Sequence, residues 1–206
     1  MNSDYKFQKL DFLPPYGPMY IPVTRDGAGY YREGFVVKFY RNNGQSWVAN
    51  FEPGHSKLSK VYDLPETNFV VIIAGGIGYL MHIDHEKPNA IFEDSIDDAF
   101  QAPDHSVICI DQIGVTIIDK NAEIWTSERI FWDGYKDLKV QNDIISGLSY
   151  DPTNELTEWT AFSFNITTRE ITGGSFKNMV LNNPNLEMKN KDEVPAKKKP
   201  KWKFWK

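Results

Sequence analysis

The sequence predicts an all-β protein, an antiparallel meander of blade-like repeats, on three observations. The first is an internal repeat: Pro65-Glu66-Thr67-Asn68-Phe69-Val70-Val71-Ile72 is echoed by Pro103-Asp104-His105-Ser106-Val107-Ile108-Cys109-Ile110. After each comes Ile-Gly and a short apolar run closing on Asp, Ile77-Gly78 to Asp84 and Ile113-Gly114 to Asp119. Self-similarity of this kind marks stacked units, none of which can bury its apolar face alone. The second is that no window of eleven or more residues holds a helical apolar stripe. The third is the regular alternation of four- to eight-residue apolar runs with turn signals, which favours hairpins over βαβ units.

Residues 1–33 read as an irregular N-terminal wrap, turn-rich through Pro14-Pro15-Tyr16-Gly17-Pro18 and Arg25-Asp26-Gly27, with Phe12, Tyr16 and Tyr20 as anchors. The β-repeat domain is expected over 34–176. It opens on the clearest hairpin, 35–41 and 46–51 around Asn42-Asn43-Gly44-Gln45, because Asn-Gly accepts positive φ at little cost. Further strands are expected at 58–63, 69–73, 79–83, 107–110, 115–118, 123–130, 137–140, 143–150, 159–166 and 170–172. Gly75-Gly76, Lys87-Pro88-Asn89, Lys120-Asn121, Asp133-Gly134, Gln141-Asn142 and Gly173-Gly174 punctuate them. The two prolines of the repeat stand 38 residues apart, which suits a four-stranded unit. Three or four such units fit, as a small or incomplete β-propeller, an open stack or a two-sheet sandwich. Residues 177–206 read as a polar linker and a disordered, basic, aromatic tail.

Charge is divided along the chain. Net charge is −5, yet residues 197–206 hold six lysines and no acid, so the remainder carries −11. A body this acidic repels phosphate backbones, and nucleic acid is not an expected partner for it. A single cysteine, Cys109, excludes an intrachain disulfide framework and lies in an apolar run where an inert buried thiol is expected. The first residues lack a basic stretch followed by an apolar one, so no secretory signal is expected and the location read from the sequence is cytoplasmic.

The segment Trp125-Thr-Ser-Glu-Arg129-Ile-Phe-Trp132-Asp133-Gly134, followed by Gly147-Leu-Ser-Tyr150-Asp151 and Thr172-Gly173-Gly174-Ser175, resembles a set of uncharacterised bacterial all-β proteins with blade-like repeats. Their pattern is Arg-Ile-x-Trp-Asp-Gly, then Gly-x-x-Tyr/Trp-Asp, then Thr-Gly-Gly-Ser. The resemblance covers residues 15–176, most closely the last third. It implies the fold class and no activity or catalytic residue. Physically, Asp133-Gly134 is a turn, Trp125 and Trp132 can seal a junction between sheets, and Arg129 can stack on one of them or pair with Glu123 or Glu128. The functional alternative makes Arg129, Trp132 and Asp133 part of a recognition surface.

Chemistry is sparse. His82-Ile83-Asp84-His85-Glu86 is the one cluster with metal-ligating residue types. The second repeat has Ile118 and Lys120 where the first has His82 and Asp84, so no metal or other cofactor is assigned. Glu93, Asp94, Asp97 and Asp98 form an acidic cluster that reads as a solvated edge or as a docking surface for a basic partner. No Gly-x-Ser-x-Gly elbow is present, and Ala74-Gly75-Gly76-Ile77-Gly78 precedes no helix able to receive a phosphate. No catalytic residue is assigned.

Three functions follow from this. The first is a non-enzymatic module binding a basic protein through Glu93, Asp94, Asp97, Asp98, Arg129, Trp132 and Asp133, an immunity-like protein neutralising its partner being one form. The second is a peripheral membrane module on the inner face of the membrane. Its contact is the tail, Lys197, Lys198, Lys199, Lys201, Trp202, Lys203, Phe204, Trp205 and Lys206, since lysines interleaved with aromatic rings suit an anionic surface. Single-stranded nucleic acid and the acidic body itself are other targets for that tail. The third is a metal-dependent enzyme with a site on one rim around His82, Asp84 and His85.

Overall fold

The computed structural model describes residues 5–17, 19–30, 32–153 and 158–176. The tail residues 197–206 and the linker lie outside the described residues. Among the described residues sixteen strands form four sheets of four strands each, in which every pairing but one is antiparallel.

The first sheet has the order β1 (Phe7–Leu10), β3 (Phe35–Tyr40), β4 (Ser46–Phe51), β2 (Ile21–Val23), with β2 parallel to β4. The next three are meanders in chain order. They are β5 (Lys60–Asp63), β6 (Phe69–Ala74), β7 (Ile77–His82), β8 (Ala90–Phe92); β9 (Asp98–Gln101), β10 (Val107–Ile110), β11 (Val115–Ile118), β12 (Ile124–Thr126); and β13 (Tyr135–Gln141), β14 (Ile144–Tyr150), β15 (Trp159–Asn165), β16 (Ile171–Gly173).

The internal repeat is the central hairpin of the second and third sheets. Ile72 faces Tyr79 as Ile110 faces Val115, and Phe69 faces His82 as Val107 faces Ile118. The first copy turns on Gly75-Gly76, with φ of 53° and 89°, whereas the second spends two more residues on Asp111 to Gly114. Its two strands are each two residues shorter, so the second hairpin is two residues shorter in all, which accounts for the unequal spacing of the two copies.

The alternation of strand side chains explains how the sheets stack. Val70 and Ile72 of β6 join Phe39, Trp47 and Phe51 in a core between the first and second sheets. Their neighbours Val71 and Ile73 point the other way, to Val107 and Cys109 between the second and third sheets. Ile108 and Ile110 pack with Phe131, Ile145, Phe162 and Phe164 between the third and fourth. Each core lies between consecutive sheets, and among the described residues none joins the first sheet to the fourth. Among the described residues the four sheets thus stack in chain order. The two middle members are apolar on both faces, which is why their strands read as unbroken apolar runs.

Three sequence expectations need correction. The segment read as an irregular wrap contributes β1 and β2, so the first sheet draws half its strands from before residue 34. Both are very short, and Pro22 reads as a strand breaker; it is tolerated because β2 is an edge strand whose missing N–H faces away from β4. The run expected as one strand over 123–130 is a strand only at Ile124–Thr126, since Ser127 to Gly134 cross to the fourth sheet. The acidic cluster Glu93, Asp94, Asp97 and Asp98 lies between and within two strands not expected from the sequence, β8 and β9, edge strands too short to declare themselves beside four carboxylates.

Candidate functional site: an acidic rim

In an antiparallel stack the loops gather at two ends. One end holds the β6–β7, β8–β9 and β10–β11 connections, and with them the acidic cluster. Glu93, Asp94 and Asp97 lie between β8 and β9, Asp98 opens β9, Asp111 follows β10, and Asp133 precedes β13. Three hydrogen bonds draw these segments together across the sheets. The Asp97 N–H donates to Ile110 O at 2.9 Å, the Gly134 N–H donates to Gln112 O at 2.8 Å, and Tyr135 Oη–H donates to Asp98 Oδ2 at 2.9 Å. Carboxylates from the second, third and fourth sheets thus share one rim.

They do not share one environment. Asp94, Asp97 and Asp133 are exposed, and Asp94 pairs with Arg25 at 3.0 Å. Glu93 instead turns inward. Thr116 Oγ1 lies 3.0 Å from Glu93 Oε1 and 3.0 Å from Thr126 Oγ1, which ties the second sheet to the third. Asp111 is only 6 % exposed and its Oδ1 accepts the N–H groups of Ile113 and Gly114 at 2.8 and 2.7 Å. Burial, together with a hydrogen bond and charge repulsion from Asp111, pushes the Glu93 carboxyl up to about 7. A charge on Glu93 would be poorly hydrated there and would face the Asp111 side chain. Glu93 also holds φ of 46°, unusual for a residue with a side chain. It lines, with Arg25, Ile91, Phe92 and Asp94, an open recess of about 420 Å³.

Arg129 and Trp132 are tied into contacts within the chain. The Arg129 guanidinium stacks on Trp132 and on Phe176, at 5.3 and 5.0 Å from the ring centroids. It also donates to the carbonyls of Phe131 and Trp132. The Trp132 N–H donates to Ser175 Oγ at 2.8 Å, and the Ser175 N–H to Ser149 Oγ at 2.8 Å. Together they fasten the Thr-Gly-Gly-Ser segment across the crossing from β12 to β13. Trp125 seals the junction of the third and fourth sheets by stacking on Phe164 at 5.9 Å.

At the other end of the stack, the His82 cluster is a fastening between the first two sheets. Asp84 accepts the Asn42 N–H and side-chain amide at 2.9 and 2.7 Å, which hold its carboxyl below the usual range. Arg41 donates to the Asp84 carbonyl at 2.7 Å, pairs with Glu86 and lies over the Trp47 ring. His82 and His85 stack at 4.4 Å between centroids. Burial and the neighbouring His85 hold the His82 imidazole below its ordinary value, against the pull of Asp84. Asp84 and Glu86, two of the residues that resemble metal ligands in the sequence, are therefore engaged by the β3–β4 hairpin tip. Among the described residues no three His, Cys, Asp or Glu side chains are grouped to hold a metal ion. Every buried side-chain nitrogen and oxygen among them has a hydrogen-bond partner, so no orphaned polar atom points into a site.

Asp111 and Thr116 are the rim residues that sequence reasoning missed. The available signal was Asp111 in the longer turn of the second repeat, where the first repeat has only two glycines. No protein-family model matches the chain, and no curated protein matches it.

Proposed function

We propose that the protein is a non-enzymatic binding module whose acidic rim takes a basic protein partner. One observation carries this reading: carboxylates from three sheets meet on one rim, and among the described residues only Arg25 makes an ion pair there. Such a rim speeds encounter with a cationic surface and selects against acidic ones. The contact surface is Asp94, Asp97, Asp98 and Asp133. Glu93, Arg129 and Trp132 hold the rim and the adjoining crossing in shape. An immunity-like protein that neutralises a basic partner is one form this activity takes.

The test is affinity capture from a native lysate of the source cell, with the full chain and its Asp94→Lys/Asp97→Lys variant as baits. The expected result is one basic protein held in stoichiometric amount by the first bait and lost from the second. Capture of no basic protein, or equal capture by both baits, overturns the reading.

A further inference from the structure

A second surface lies along the junction of the third and fourth sheets. There an open groove of about 590 Å³, within the size range of ligand pockets, is lined by Trp125, Glu128, Arg169, Glu170, Ile171 and Thr172. Two edge strands border it, since β12 and β16 each end their sheet. The register shows which backbone groups of β16 are spent. The Asn165 N–H donates to Glu170 O and the Gly174 N–H to Ala161 O, so Thr172 forms the bonded pair with Ser163. The N–H and C=O of Ile171 therefore point away from β15, toward an edge that no strand among the described residues pairs with.

The groove is acidic in spite of its arginine. The Arg169 guanidinium lies 5.0 Å from the Trp125 ring centroid and donates to Ile166 O, so it forms part of the wall. Asp104 and Asp119 both act on it, and Glu128 and Glu170 line the groove with exposed side chains. Two lining carboxylates, Glu128 and Glu170, thus stand beside one guanidinium. Trp125, held between Arg169 and Phe164, offers a rigid apolar wall for the stem of a long side chain.

We propose that this groove is a docking site for an extended basic peptide of a protein partner, which adds to the edge of β16. Its backbone bonds to the N–H and C=O of Ile171, and its lysine or arginine side chains reach Glu128 and Glu170 along the Trp125 wall. The groove shares no residue with the contact surface of the acidic rim.

The probe is the blocked peptide acetyl-Lys-Val-Lys-Val-Lys-Val-amide, titrated into the isotope-labelled full chain and followed by NMR. The expected result is saturable shifts at the groove and at least tenfold slower exchange of the Ile171 amide. Glu128→Gln/Glu170→Gln, which keeps the shape of both side chains, weakens binding about tenfold, while Asp94→Lys/Asp97→Lys leaves it unchanged. Several results overturn the proposal: no shift at millimolar peptide, shifts confined to the acidic rim, or equal binding by the Glu-Val counterpart. An Ile171 amide already protected in the free full chain, and released on deletion of residues 197–206, assigns the edge to the chain's own tail and overturns the partner.

Discussion

The second and fourth sheets are built alike, four antiparallel strands in chain order, and yet their sequences share almost no pattern. In the second, β6 and β7 are buried along nearly their whole length. In the fourth, β14 and β15 bury one face, where Ile145, Phe162 and Phe164 meet the third sheet. Their other face carries Ile144, Ser146, Ser163 and Ala161, partly or fully exposed. The cause is position in the stack. A sheet with neighbours on both sides must be apolar on both, whereas a terminal sheet is free to alternate. The middle sheets supply rigidity, and the features open to a partner fall on loop ends, edges and the terminal sheets.

The comparison breaks most readily at its centre. Ile72→Ala, a fully buried site in the core of the first two sheets, is expected to cost about 2–5 kcal/mol by urea denaturation. The same truncation at Ile144, 37 % exposed on the fourth sheet, should cost no more than about 0.5 kcal/mol. Equal losses at the two sites would refute the distinction. Gly78→Ala comes next. An added Cβ would stand 2.4 Å from the Phe92 ring, so the edge strand β8 must shift, at about 1–3 kcal/mol. Arg41→Ala should cost about 1–2 kcal/mol, since it removes charge-assisted bonds to Asp84 O and Glu86 and the stacking on Trp47.

The smallest effect is a dependence on pH. Glu93 has a carboxyl raised above its ordinary range, so its contribution to stability is complete below that range and is lost as pH rises through about 7. His82 runs the other way: its depressed imidazole contributes above the ordinary histidine range and loses that contribution as pH falls. The informative quantity is therefore the difference between wild type and Glu93→Gln. Wild type should lose stability relative to the variant as pH rises from 5 to 8. A constant difference across that interval would show that the Glu93 carboxyl is not raised by its surroundings.

Much of the stack was legible in the sequence, and the reasons are local. Continuous apolar runs at 69–74 and 107–110, closed by glycines or polar turns, can hardly be anything but buried strands. The Asn42-Asn43-Gly44 turn carries its own geometry, with Gly44 at φ of 82°. What escaped was made by partners distant in the chain. Phe7–Leu10 is a strand because Val36 to Phe39 lie beside it, and Asp98–Gln101 because Val107 to Ile110 do. The site residues divide in the same way. The run from Glu93 to Asp98 shows its charge in the sequence, but not that Glu93 turns inward to Thr116 and Asp111.

By itself, then, the sequence determined the class of fold, the central hairpins and the division between an acidic body and a lysine-rich end. These follow from side-chain chemistry and from spacing within a few residues. Tertiary structure alone decided which sheet lies against which, that the stack leaves its first and fourth sheets uncoupled by any core among the described residues, and which carboxylates face water. Those outcomes depend on burial, and burial is a property of what another part of the chain places opposite a residue.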